Sequence, residues 1–214
     1  MLDLYLIRHA ESVMNEQCSL IGGRTETTPL TEFGKKQAEL LGKRLTWEGI
    51  IFDKVYASPA TRTKETVEII CSFMAYPFNR IIYSEQLYEI SQGEWEGKPR
   101  KEIYTKEMLA QINANNWEFH PPNGESQRDV EERMHNYVKK EALTQQGRVG
   151  IFGHSMAFKC LLRSILDSTP KMTYKIVLDN TSITHLKYND LGWHIISLND
   201  IGHLAGVKKQ ITNI

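Results

Sequence analysis

Leu4-Tyr5-Leu6-Ile7-Arg8-His9-Ala10-Glu11-Ser12 is the stretch that decides the fold. Its first four residues form an unbroken apolar run that ends abruptly in charge. A strand with one wet face alternates apolar and polar residues, whereas one covered on both faces does not, so residues 4–7 predict a buried strand of a parallel sheet. Residues 54–57 and 149–152 predict two more such strands, and helical patterns lie between them. Thr31 is placed to cap a helix through about Thr46 with Ala38, Leu41 and Leu45 on one face. Ser58 and Pro59 predict an N-cap and a first helical residue for a helix to about Met74, burying Val67, Ile70, Cys71 and Met74. Ser126 and Asp129 predict a capping box ahead of Val130, Met134, Tyr137 and Val138. A further helix is expected from Met156 to about Leu166, and residues 182–188 and 193–198 read as a closing hairpin around Asn189-Asp190-Leu191-Gly192. Strands alternating with helices imply a three-layer α/β/α architecture with a mostly parallel central sheet.

Residues 85–125 interrupt that alternation. Trp95, Tyr104, Trp117 and Phe119 are scattered there among Gly93, Gly97, Gly124, charges and prolines. The segment reads as an excursion roofing the site within a single domain spanning residues 1–214, a length one core serves.

Composition narrows the partners. Lys plus Arg and Asp plus Glu are both 26, so the formal net charge is zero, and nothing favours a nucleic-acid or membrane-surface binder. Any attraction for anions must therefore be local. Cys18, Cys71 and Cys160 are scattered, with no CxxC pair, which argues against a disulfide framework or thiolate zinc site and fits a reducing, cytoplasmic setting. The apolar run at the N-terminus is too short and too soon charged for a signal peptide, and no run approaches a membrane span. Residues 208–214 read as a mobile tail.

In open α/β sheets ligands bind outside the carboxyl ends of the strands. The first predicted strand ends at Arg8 and His9, the second leads through Ser58 and Pro59 to Arg62, and the third ends at His154. Two guanidinium and two imidazole groups on one rim need an anion to offset their repulsion. Phosphate matches the guanidinium fork, and the helix after Pro59 would aim backbone amides at the same place. Arginine cannot act as a nucleophile. A neutral imidazole can attack phosphorus, the second imidazole can stabilise charge, and a carboxyl group must supply a proton to the leaving alcohol. Glu11, Glu85, Glu89, Glu94, Glu96 and Glu125 all remain open for that last role.

The segments LYLIRHAES with Asn15, PLTEFG, SPATRTKET, LYEISQGEWEG, PNGES, FGHS and DNTSIT, in this order over nearly the whole chain, resemble the histidine phosphatase superfamily, the phosphoglycerate-mutase-like fold. The resemblance implies that His9 is the phosphorylated nucleophile, with Arg8, Arg62 and His154 completing the phosphate pocket. It implies a polar contact from Asn15, selects Glu89 as proton donor, and puts Gly22 and Gly23 in a loop that approaches the substrate. Ala10 stands where the family more often has glycine. The implied activity is metal-independent hydrolysis of a small phosphate ester with no cofactor, and there is no HExxH or carboxylate-rich metal motif.

Competing readings attach to particular residues. GHSMA, residues 153–157, looks like a nucleophile elbow with Ser155 as nucleophile, Asp167 or Asp179 as acid and His185, His194 or His203 as base. Against it, no HGGG-type motif precedes it and RHAES would go unexplained, so Ser155 reads better as an N-cap with a phosphate contact. A phosphate-binding protein without turnover would be expected to lack His9 or Glu89, and both are present. Within the family, a mutase is expected to carry more insertions and a longer tail, so a phosphatase is favoured. In the excursion the four aromatic side chains are either packing or contacts to the leaving group. Lys98, Arg100 and Lys101 either hold a second acidic group or are solvated.

Overall fold

The computed structural model describes residues 1–207; the predicted tail, residues 208–214, lies outside them. In chain order the elements are β1 (Leu2–Arg8), α1 (Val13–Glu16), α2 (Glu32–Trp47), β2 (Lys54–Ala57), α3 (Thr61–Phe73), β3 (Ile81–Tyr83), α4 (Arg100–Ile103), α5 (Lys106–Ala114), α6 (Gln127–Tyr137), β4 (Gly147–Gly153), α7 (Ser155–Ile165), β5 (Ile183–Asn189) and β6 (Gly192–Asp200). The sheet order is β3-β2-β4-β1-β5-β6. The first four strands in that order are mutually parallel, and the β5–β6 hairpin closes the sheet in antiparallel fashion beside β1.

Both faces of the sheet are covered, as the unbroken apolar runs require. Leu2, Leu4 and Leu6 of β1 point to one face and pack with Val149 and Ile151 of β4 against Val130 and Met134 of α6 and Phe158, Leu161 and Leu162 of α7. Tyr5 and Ile7, on the alternate face, pack with Val55 of β2 against Ala38, Leu41 and Leu45 of α2 and Val67, Ile70 and Cys71 of α3. Adjacent strands β1 and β4 thus send the chain to helices on opposite faces, and a crevice opens between their carboxyl ends.

Helix starts follow the predicted chemistry where the cap is local. Thr31 Oγ1 accepts from the Gly34 N–H at 2.9 Å, and Ser126 and Asp129 form the predicted reciprocal box. Gly34 also brings α2 against the turn after β1, since a Cβ there would overlap the Glu11 carbonyl. Two expected caps are different. Ala60, not Ser58, is the N-cap of α3, because the Ser58 hydroxyl is taken by His154 Nε2 at 2.8 Å. His154, not Ser155, is the N-cap of α7. Met74 and Tyr137 are half-buried rather than core residues, and β3 was not expected. No helix among the described residues is long and apolar enough to cross a membrane.

Candidate active site

The carboxyl ends of β1, β2 and β4 meet where the sequence placed its cationic rim. His9 is held at its main chain, its N–H donating to Gly153 O at 2.9 Å and its carbonyl accepting from Asn180 Nδ2 at 3.0 Å. Its Nδ1 lies 2.7 Å from the Ala10 carbonyl. A carbonyl can only accept, so the proton sits on Nδ1 and Nε2 keeps its lone pair. That lone pair lies 3.2 Å from Arg62 Nε and accepts from it. Ala10 is fully buried in the core on the α2/α3 side.

Arg62 is 3% exposed and fixed from several sides. Its Nη1 donates to the Arg24 and Thr25 carbonyls, its Nη2 to the Gly23 carbonyl, and Nη2 also lies 3.1 Å from His154 Nδ1. Because guanidinium cannot accept, His154 Nδ1 is the acceptor and its Nε2–H is left to donate to Ser58 Oγ. The two imidazole centroids are 5.1 Å apart. Burial, reinforced by Arg62 and Arg8, holds His9 well below its usual range, and burial with Arg62 and His9 does the same for His154. Both rings are therefore neutral at neutral pH. Burial also lowers Arg62, to about 10, and Arg8 from its usual value, yet both keep their charge at neutral pH.

Glu89 reaches the same crevice from the excursion. Its carboxylate accepts from its neighbour Ile90 N–H and from the N–H groups of Met156 and Ala157, at 2.9 to 3.1 Å. These last are the second and third residues of α7, so Glu89 takes the capping bonds that sequence reasoning gave to Ser155. The other five carboxylates are engaged elsewhere or away from the crevice. Glu11 bonds the Thr31 hydroxyl, Glu85 opens a short 3-10 turn, and Glu94 bonds Asn123. Glu96 accepts from the N–H groups of Arg24, Thr25 and Gln92. Glu125 bridges Arg24 and Arg133; burial works against its ionisation, but Arg133 and the Ser91 N–H hold it below the usual carboxylate range.

Arg8, His9, Asn15, Gly22, Gly23, Arg62 and Glu89 line one cavity of about 170 Å³, together with Ser12, Met14 and Thr25, which sequence reasoning did not single out. His154 stands behind it through Arg62. Asn15 Oδ1 accepts from the Ser12 N–H and hydroxyl. Ser155 is not part of this wall. It makes no side-chain hydrogen bond to a histidine among the described residues, and the histidines offered as its base are held elsewhere: His185 by Asp3, His194 by Asn189 and His203 by Thr181. Residues 178–181, the connection into β5, are the larger omission. The Leu178 carbonyl accepts from Arg8 Nη1 at 2.7 Å, and the Thr181 N–H bonds the Arg8 carbonyl at 3.1 Å. The motif DNTSIT was the available signal. Among the described residues no group of three or more His, Cys, Asp or Glu side chains is arranged to hold a metal.

The cavity opens into a second of about 270 Å³ that shares Gly22, Gly23 and Glu89 with it, and this runs on under the excursion. Trp95, Tyr104 and Phe119 line that region, whereas Trp117 instead lies against the Arg163 guanidinium, 4.0 Å from its carbon. Of the three basic residues in question, Arg100 lines it and Lys98 and Lys101 do not.

Residues 4–201 match the sequence profile of the histidine phosphatase superfamily, branch 1. The chain belongs to this superfamily. Among relatives, this chain is 27% identical to a probable phosphoglycerate mutase GpmB of Yersinia enterocolitica and 29% identical to that of Yersinia pestis, in each case over 95% of both chains. Its fold superposes on Bacillus stearothermophilus YhfR with a TM-score of 0.83 at 29% identity, covering 95% of this chain and 100% of the other. It superposes on a phosphoserine phosphatase mutant of Entamoeba histolytica with a TM-score of 0.81 at 23% identity, again over 95% and 100%. At that identity the phosphatase from Entamoeba shares the fold.

Proposed function

We propose that this member of the histidine phosphatase superfamily is a metal-independent phosphomonoesterase that works through a phosphohistidine on a small phosphorylated metabolite. One observation carries the reading: a neutral imidazole with its Nε2 lone pair shares a small cavity with two guanidinium groups and one carboxylate. Nε2 of His9 attacks phosphorus in line, the N–P bond forms and the bond to the ester oxygen breaks. Glu89, protonated, gives its proton to that oxygen. Water then attacks phosphorus, passes a proton to Glu89, and the N–P bond breaks to release inorganic phosphate. Arg8 and Arg62 place positive charge against the phosphoryl oxygens, which does most to lower the barrier in such transfers, and His154 orients Arg62. Asn15 and the N–H groups of Gly22 and Gly23 add neutral contacts.

Phosphoglycerate mutase activity is the second reading, favoured by the name of the Yersinia relatives. Those relatives are matched over 95% of their length, so chain length does not separate the two activities. The cation count favours hydrolysis. A mutase must rebind its bisphosphate intermediate by a second anionic group, and Arg100 is the one cationic side chain lining the outer region among the described residues. Incubation with 3-phosphoglycerate, with and without a bisphosphate primer, decides between them. Release of inorganic phosphate from this or other esters without isomerisation supports hydrolysis. Primer-dependent isomerisation without phosphate release overturns it.

A further inference from the structure

The outer cavities are larger than the phosphate pocket and chemically unlike it. The second, of about 270 Å³, and a third of about 290 Å³ share Ile90, Gln92, Arg100, Tyr104, Met156 and Tyr174, so they form one chamber. With the inner pocket they bring the site to the roughly 300–1,000 Å³ typical of sites for sizeable small molecules. A glycerate-sized leaving group would leave most of this space empty.

The wall tells what it accepts. Trp95 is buried and packs edge-on against Tyr104, centroids 6.0 Å apart, and tilted against Phe119 at 5.7 Å, so the three rings make a fixed aromatic floor whose outer members stay half-exposed. Over the chamber, α5 buries none of its nine residues, yet its Leu109 and Ile112, one turn apart, both line the cavity. Leu109 is 42% exposed. This apolar helix face has no protein core to cover it. The chamber adjoins the catalytic pocket at Gly22, Gly23 and Glu89, which line both, and Met156, whose N–H holds the Glu89 carboxylate, lines the chamber.

From this continuity, and resting on the phosphomonoesterase reading, we infer that the substrate is a phosphate monoester with a ring-sized apolar body. The phosphoryl group sits against His9, Arg8 and Arg62, the ester oxygen at Glu89, and the apolar body between the Trp95–Tyr104–Phe119 floor and the Leu109/Ile112 face of α5. Arg100, stacked 4.9 Å over the Tyr104 ring, walls the passage between them.

The test compares 2-(1-naphthyl)ethyl phosphate with glycerol 3-phosphate and 3-phosphoglycerate, all esters of alkyl alcohols, so that leaving-group acidity does not dominate. In parallel, calorimetry compares binding of 2-(1-naphthyl)ethylphosphonate and methylphosphonate, which needs no turnover and no variant. The expected result is a preference of at least about tenfold in kcat/KM and in Kd for the naphthyl compounds, with a negative heat-capacity change on binding. That ratio falls severalfold in Leu109→Gln and Ile112→Gln, both on an exposed helix. Equal or better turnover of the two small polar esters overturns the inference while leaving hydrolysis intact. No hydrolysis of any ester, with the phosphonate preference retained, removes the hydrolytic reading but keeps the chamber's specificity. No preference in either assay overturns the inference outright.

Discussion

The strand-end cluster and the roof above it are built in different ways. Arg8 and His9 are fixed by main-chain bonds to Ser182, just ahead of β5, and to Gly153 of β4, and Arg62 by bonds donated to the Arg24, Thr25 and Gly23 carbonyls and to His154. In the roof neither α4 nor α5 has a buried residue; Leu87, Ile90 and Trp95 are its buried anchors, and its main chain bonds that of Ser19 and Ile21. Side-chain clasps add to these: Glu96 across three N–H groups, Glu125 between Arg24 and Arg133, and Trp117 over Arg163. The phosphate-pocket residues Arg8, His9 and Arg62 thus rest on the core, whereas the excursion supplies both Glu89 and the wall of the outer chamber.

The predictions break that comparison from the frame outward. His9→Ala is expected to lower kcat by about 10⁴-fold or more while phosphate binding persists, and EDTA is expected to have no effect; steady-state assay and calorimetry check both. Glu89→Gln is expected to cost about 10²–10⁴-fold with alkyl esters and much less in the first step with p-nitrophenyl phosphate, whose leaving group needs no proton. At the seam between frame and roof, Glu131 pairs with Arg163, which is 1% exposed and lies under Trp117. Glu131→Gln leaves a buried guanidinium uncompensated and is expected to cost about 3 kcal/mol in denaturant unfolding. Thr31→Ala, which removes a local cap and the hydroxyl's bond to Glu11, is expected to cost about 1 kcal/mol.

The pH dependence sharpens the same contrast, with a smaller effect. His9 is held below its usual 6.5 by burial and by Arg62 and Arg8. Its nucleophilic form therefore survives acidification, and the acid limb of kcat/KM is expected below pH 6.5. Removing charge in Arg62→Gln is expected to move the His9 titration upward, read by histidine NMR. Because the unfolded chain binds protons at His9 and His154 that the folded chain refuses, stability is expected to fall as pH drops below about 6.5.

What the sequence made legible follows from where the information is local. A continuous apolar run marked β1, short apolar-rich segments marked β2 and β4, and Thr31 and Ser126 announced their helices because their hydroxyl groups cap the chain a few residues on. Ser58 and Ser155 misled because the capping geometry was decided by distant partners: His154 captured one hydroxyl, and Glu89 took the α7 amides from the other. β3 is three residues long with two of them exposed, too little to leave a pattern. Residues 178–181 support Arg8 and His9 through the Leu178 carbonyl, the Thr181 N–H and the Asn180 side chain; DNTSIT marked the segment, but two of these three contacts are made by main-chain atoms, which no residue type reveals. Six carboxylates looked equivalent by type; the fold puts Glu89, alone of the six, on the cavity wall.

The central claim is a covalent intermediate on His9. Glu89→Gln mixed rapidly with p-nitrophenyl phosphate isolates it, since the first step then needs no acid and the second lacks its base. The account predicts a burst of one p-nitrophenol per active site and, by mass spectrometry of the quenched protein, an acid-labile phosphoryl group on His9. A stoichiometric burst with the phosphoryl group on Ser155, or turnover with no phosphoenzyme on His9 at any time, would contradict it.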